Sequence, residues 1–236
     1  MAVIVGSLKI LFVGINPSAQ RTDPRYKKLK WVVLKQIDNN KREGFIKLRE
    51  LQGYYVAKND VALIVALKNI LPEKDFCREF MVDDINSEIS RTDIDFVNLI
   101  DEIKEGTRNS YKWPKDKEEL LRGRDKLIEF IESKRPTVII GLSNLFKNVF
   151  GDWKENKEKY KIFENNASIS KLWDEKKAIQ QLSLDNGFKT RICVIWHPGY
   201  FMRQLHKNED EFKVSHPEDF EKYKLNIREA IADLER

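Results

Sequence analysis

A continuous apolar run over residues 9–13, Lys9-Ile10-Leu11-Phe12-Val13, is followed at once by Gly14-Ile15-Asn16-Pro17-Ser18. A strand whose apolar residues do not alternate with polar ones is buried on both faces, so the sheet it belongs to needs a covering layer on each side. Pro17 has no N–H and cannot extend a ladder, and it biases Asn16 towards an extended backbone. Gly14 permits a sharp turn or a close backbone approach. Asn16 is thereby presented at the carboxyl end of a central parallel strand, where open α/β sheets hold their ligands. The same grammar returns at Arg191-Ile192-Cys193-Val194-Ile195-Trp196, which runs into His197-Pro198-Gly199-Tyr200. Two buried strands, each ending in a polar side chain followed by proline, point to one site assembled from strand ends.

Between these landmarks strand and helix alternate. Apolar spacing predicts helices over 24–37, 41–51, 61–71, 115–134, 170–184 and 217–234, with a short one after Ser143 as N-cap. For 61–71 a buried strand is the alternative. The segments 93–100, ending near Asn98, and 138–142 are the remaining predicted strands. The expected order places 9–13 and 138–142 side by side at the centre, with the Asn98 and His197 strands outside them, so that Asn16, Asn98 and His197 share one end. Alternation of this kind favours a parallel, layered sheet. With 236 residues the chain suits one domain, 1–236, carrying a surface insertion at about 151–186 where the pattern blurs into Lys, Glu and Asn.

Composition narrows the function. The chain is 41% hydrophobic and 34% charged, with a net charge of +5 that permits a polyanionic partner. No segment approaches the roughly 20 apolar residues of a membrane span, and the first residues lack a signal peptide's basic leader and apolar core. A cytoplasmic, nucleoid-associated location with no membrane partner is the expectation. Cys77 and Cys193 are too few for a four-thiolate metal centre, and His197 has its nearest histidine, His206, nine positions on. No metal site is expected. The glycine triplet of a dinucleotide site, a Lys-Ser/Thr phosphate loop and a Gly-x-Ser-x-Gly elbow are all missing.

Gly14-Ile15-Asn16-Pro17 resembles the first active-site motif of the uracil-DNA glycosylase superfamily, in the Gly-x-Asn-Pro form of its mismatch-specific and single-strand-selective branches. His197-Pro198 is similar to the superfamily's second motif, and Asp95-Phe96-Val97-Asn98 to the strand whose asparagine reads the flipped base. The match spans about 8–203. It implies a three-layer α/β/α fold around a four-stranded parallel sheet, and a monofunctional hydrolase that cleaves the N-glycosidic bond of uracil or another deaminated or modified base in DNA. No cofactor is implied, DNA is the partner, and the protein would act as a monomer.

The resemblance also assigns roles. Asn16 would position the attacking water and His197, if neutral, would donate towards O2 of the departing base. Gly14, Ile15 and Asn98 would hold the base, with Asn98 pairing to a pyrimidine O4 and N3–H. Ser18, together with the loop of Tyr200, Phe201, Met202 and Arg203, would touch DNA, the loop wedging into the duplex. Trp31, Phe45 and Tyr54 are candidates for the ring that stacks on the base, and each also fits a core position. Three departures stand out: Ser18 replaces a glycine, Gly199 replaces the usual serine, and Asn16 is a weaker base than the aspartate of other branches. The rival from another class is a glycosylase-like protein that binds modified nucleic acid without catalysis. A third reading is an α/β enzyme acting on free nucleotides.

Overall fold

The computed structural model describes residues 10–15, 36–40, 45–49, 66, 94–100, 111–154, 156–204 and 211–232. In chain order the strands are β1 (Ile10–Gly14), β2 (Gln36–Asn40), β3 (Phe45–Arg49), β4 (Ile94–Asn98), β5 (Val138–Gly141), β6 (Ile179–Ser183), β7 (Lys189–Val194), β8 (Met202–Gln204) and β9 (Glu211–Val214). The helices are α1 (Lys117–Lys134), α2 (Asn144–Val149), α3 (Ile169–Asp174) and α4 (Pro217–Ile231). The chain groups into two compact units. The first comprises Met1–Thr22, Arg91–Ile195 and Ala230–Arg236, and the second Asp23–Ser90 and Trp196–Glu229.

The first unit is built on a five-stranded α/β sheet of order β4-β1-β5-β7-β6. Its first four strands are mutually parallel, with β1 and β5 adjacent and β4 and β7 flanking them as their sequences predict. Every residue from Ile10 to Val13, Val138 to Ile140 and Ile192 to Val194 is at most 1% exposed. Successive strand residues face opposite sides, so burial of every one means that both faces are covered, as the unbroken apolar runs require.

The fifth strand is a correction to the expected four-stranded, all-parallel sheet. β6 runs antiparallel to β7 and lies where a helix over 170–184 was expected. The helical part is only α3, capped by Ser168, whose hydroxyl accepts from Lys171 N–H at 3.1 Å. It stops because Lys176 adopts the left-handed conformation, φ 56°, and Lys177 N–H returns to the Leu172 carbonyl at 2.7 Å. Glycine usually fills that position, so a lysine there gives no stop signal. Asn186-Gly187 then closes the β6–β7 hairpin. Gly187 sits at φ 79° and its N–H bonds to the Leu184 carbonyl at 3.0 Å.

The segment expected as a surface insertion belongs to the core of this unit. Tyr160, Phe163, Ile169 and Leu172 are all buried. Two buried cations fasten it. Lys147, 3% exposed, donates to the carbonyls of Asn165 (2.7 Å) and Ala167 (2.9 Å), and burial pulls its pKa below the ordinary lysine value. Arg124 donates to Asn156 Oδ1 at 2.5 Å and lies 4.7 Å from the Tyr160 ring centre. Such pairing is what allows charged groups to be buried.

α1 and α2 follow their predicted spans closely. Leu120, Leu127, Ile128 and Ile131 form the buried stripe of α1, and the Ser143 hydroxyl caps α2 by accepting from Phe146 N–H at 3.2 Å. Gly141, the last residue of β5, lies under Phe146. A Cβ there would stand 1.8 Å from the Phe146 ring, which is fully buried. Gly141→Ala is therefore expected to destabilise the fold by ~1–3 kcal/mol, the cost of overpacking a filled core. A urea titration with an unchanged midpoint would show that the ring has somewhere to go.

In the second unit β2, β3, β9 and β8 form an antiparallel sheet in that order. β3 corrects the helix expected over 41–51, and Gln36 and Ile37 of the helix expected over 24–37 belong to β2. Phe45-Ile46-Lys47-Leu48-Arg49 has period-two alternation from Ile46 onward, and the two runs are separated by Lys41-Arg42-Glu43-Gly44, a hairpin-length spacer ending in glycine. α4 buries Phe220, Tyr223, Ile227 and Ile231, all on the predicted stripe. Ala66, in the helix predicted over 61–71, is helical and fully buried. The rest of that segment lies outside the described residues, as do Trp31, Tyr54 and Cys77.

Candidate functional site at the carboxyl edge of the parallel sheet

The four parallel strands of the first unit end flush. Gly14 is the register partner of Asn98, and Val13 of both Val97 and Gly141. The ladder continues past the strand ends: Leu99 N–H bonds to the Gly14 carbonyl at 2.9 Å, and Ile100 N–H to the Ile15 carbonyl at 2.8 Å. Gly14 and Ile15 thus lie beside the Asn98 turn, and Asn98 is half-buried there. α1 presses on the same turn. Its Gly123 is so close that an added Cβ would meet the Leu99 carbonyl oxygen at 2.3 Å. Sequence gives no hint of this contact, because the glycine sits unremarkably inside a helix.

β7 ends at the same edge. Ile195 N–H bonds to the Gly141 carbonyl at 2.9 Å, and Trp173 of α3 donates its indole N–H to the Val194 carbonyl at 2.9 Å. The strand that leads into His197 is therefore held at its last residue by a tryptophan 21 positions earlier. Asn16 and Ser18 lie outside the described residues.

His197, Tyr200, Phe201 and Arg203 belong to the second unit. His197 is exposed and caps the turn Pro198–Tyr200, its Nδ1 accepting from Gly199 N–H at 3.2 Å. An Nδ1 that accepts leaves Nε2 as the ring nitrogen that can donate. The expected duplex wedge is corrected at two positions. Phe201 is fully buried, its ring 4.5 Å from Tyr223 and 5.6 Å from Phe220, so it is a core residue. Arg203 stands in β8, at the register position opposite Lys213 of β9, not on a loop. Tyr200 is 48% exposed, yet it is not a loose ring. It stacks at 4.3 Å and 11° on His216, with Trp196 at 6.1 Å. His216 was not expected at the site, since nothing local in the sequence ties it to Tyr200.

Compared with models of known protein families and with curated proteins, the chain matches none. Among the described residues no group of three or more His, Cys, Asp or Glu could hold a metal ion, and no helix is long and apolar enough to cross a membrane. A shallow hollow of about 300 Å³ lies among Arg135, Thr137, Gln181 and Arg191. It sits at the amino ends of β5 and β7, the opposite end from Gly14 and Asn98. Cys193 is fully buried in β7, and burial pushes its thiol well above the usual range. A nucleophilic role would need the thiolate, so Cys193 is structural. In a Cys77→Ser background a disulfide reagent is expected to react only as fast as the protein unfolds. Rapid reaction in the native state would contradict the burial.

Proposed function

We propose that the protein is a DNA glycosylase, hydrolysing the N-glycosidic bond of uracil or a related deaminated or modified base flipped out of DNA. One observation carries the reading: Gly14, from the motif that presents Asn16, is paired in register with Asn98 at the carboxyl edge of the parallel sheet. Base excision needs those two elements adjacent, one to place water and one to hold the base's Watson–Crick edge. The strand order β4-β1-β5-β7 supports the finer α/β/α arrangement of the uracil-DNA glycosylase type, with β6 as an addition at one edge.

The hydrogen bond of His197 supports the chemistry. Bond cleavage leaves a cationic sugar and an anionic base, and a fixed donor aimed at the developing anion is the effective form of help. With Nδ1 accepting from Gly199 N–H, the imidazole is oriented to donate through Nε2. Asn16 positions the water and Asn98 distinguishes the base.

Incubating the protein with end-labelled oligonucleotides containing uracil, hypoxanthine, xanthine or 5-hydroxymethyluracil, then cleaving abasic sites with alkali, tests the reading. Strand breaks at one of these bases are expected. Tight binding to the same oligonucleotides with no abasic site formed would instead support the non-catalytic binding protein.

A further inference from the structure

The hollow at the amino ends of β5 and β7 has a charge balance of its own. Elsewhere in the first unit Lys159, Lys161 and Lys177 are answered by carboxylates, from Asp185, Glu158 and Glu164 in turn. The described residues that line the hollow include three cations, Arg135, Lys189 and Arg191, and no carboxylate. Among the described residues none of these cations is paired with an acidic side chain. Each is placed by a different device. Lys189 and Arg191 are two positions apart in β7 and so share a face, and Gln181 of β6 joins them there as the register partner of Arg191. Arg191 is half-buried and anchored: its Nη1 donates to the carbonyls of Ala230 at 3.0 Å and Ala232 at 2.7 Å, which leaves Nε and Nη2 as donors. Arg135 closes α1 in the left-handed conformation, φ 49°, that glycine usually supplies, and its guanidinium lies 5.7 Å from the Phe188 ring centre. The carbonyl ends of α1 and α4 oppose this charge only in part, since a helix terminus is worth about half an elementary charge and each cation a whole one.

We propose that this hollow binds the phosphate group of a small phosphate monoester. The site lies at the opposite end of the sheet from Gly14 and Asn98, and it stands whether or not the protein is a glycosylase. Its donors suit phosphate. Guanidinium groups fork onto phosphate oxygens, a lysine adds a point charge, and the exposed amide of Gln181 adds an N–H donor. Concave walls lined by one sign of charge concentrate the opposite sign. A monoester carries about two negative charges at neutral pH, whereas each diester of a nucleic-acid backbone carries one, so three cations in one hollow favour the monoester. The volume agrees. About 300 Å³ is the small end of the range for ligand sites, with room for a phosphate and a sugar but not for a polymer.

The test is isothermal titration calorimetry of the full chain at low ionic strength with ribose 5-phosphate. Ribose, dimethyl phosphate and an oligonucleotide without a terminal phosphate are the comparison titrants. Ribose 5-phosphate is expected to bind, dimethyl phosphate to bind at least about tenfold more weakly, and ribose not to bind. Arg135→Asn/Lys189→Gln should weaken ribose 5-phosphate about tenfold or more, as the loss of two charge-assisted contacts requires. Both side chains are exposed and asparagine accepts the left-handed backbone, so the thermal midpoint of the free protein should hold. Lys189→Gln alone, which leaves position 135 untouched, should give about a threefold loss. Lys171→Gln/Lys222→Gln, an equal loss of charge from two exposed helical positions, should bind as the parent does. No heat from ribose 5-phosphate with the parent, an unchanged affinity in both hollow variants, or an equal loss in the helical control would overturn the proposal. So would displacement of ribose 5-phosphate by the unphosphorylated oligonucleotide, which would make the hollow a reader of backbone diesters.

Discussion

His197→Ala is expected to slow base excision by roughly a hundredfold or more under single-turnover conditions, the usual cost of losing one donor to a developing anion. Binding to an abasic-site oligonucleotide should change little, because the contact strengthens mainly in the transition state. The structural basis is specific. Nδ1 of His197 accepts Gly199 N–H, which leaves Nε2 as the ring nitrogen that can donate. Alanine removes the donor and the acceptor together. His197→Asn separates the two roles, since its amide can still accept Gly199 N–H while placing a donor differently. If the asparagine variant folds with the parent's midpoint yet is as slow as alanine, the donor and not the cap carries the effect. A parent and an alanine variant of equal rate would remove His197 from the chemistry.

Much of the parallel sheet was legible because burial on both faces leaves a plain mark. Residues 10–13, 138–140 and 192–194 cannot alternate, and nothing but a covered strand tolerates such runs. Their neighbours in the sheet followed from the economy of strand–helix–strand connections. The hairpins were harder. Asn186-Gly187 is a strong turn signal, but the helix before it ends on Lys176 in a conformation that glycine would have advertised. β2 and β3 offered a shorter alternation than the helical spacing around them, and the second partner of β3, β9, lies more than 150 positions away, beyond the reach of any local pattern.

The site was legible in part for a related reason. Each candidate residue follows or ends an apolar strand run, and Gly14 and Asn98 close β1 and β4 as register partners. What surrounds a motif residue depends on tertiary partners. Phe201 and Tyr200 are adjacent and both aromatic, yet the first is sunk among Phe220 and Tyr223 and the second is half exposed on His216. No sequence pattern separates them. Gly123 and Trp173 hold the Asn98 turn and the end of β7 through a backbone contact and an indole hydrogen bond, and neither leaves a sequence signature.

Asn98→Ala is expected to produce a different failure from the histidine variant. An amide offers one acceptor and two donors, which match a pyrimidine N3–H and O4, whereas cytosine reverses both. A site built to satisfy a base edge rejects the wrong edge by a factor on the order of 10⁴, because the buried polar groups are left unpaired. Asn98 is suited to such reading. It is half-buried, its turn is tied to Gly14 and Ile15 by two backbone hydrogen bonds, and α1 bears on Leu99 through Gly123. Alanine at this position should lower the rate on the preferred base by ~10³-fold and erase most of the discrimination against cytosine, since neither edge then has a partner. Asn16→Ala should lower the rate while leaving the preference between bases intact, because water placement is common to all of them. The comparison is made on matched oligonucleotides that differ in one base, under single-turnover conditions. An Asn98→Ala variant that is slow but still discriminates would mean that the base edge is read by another group, and Asn98 would be reduced to shaping the turn.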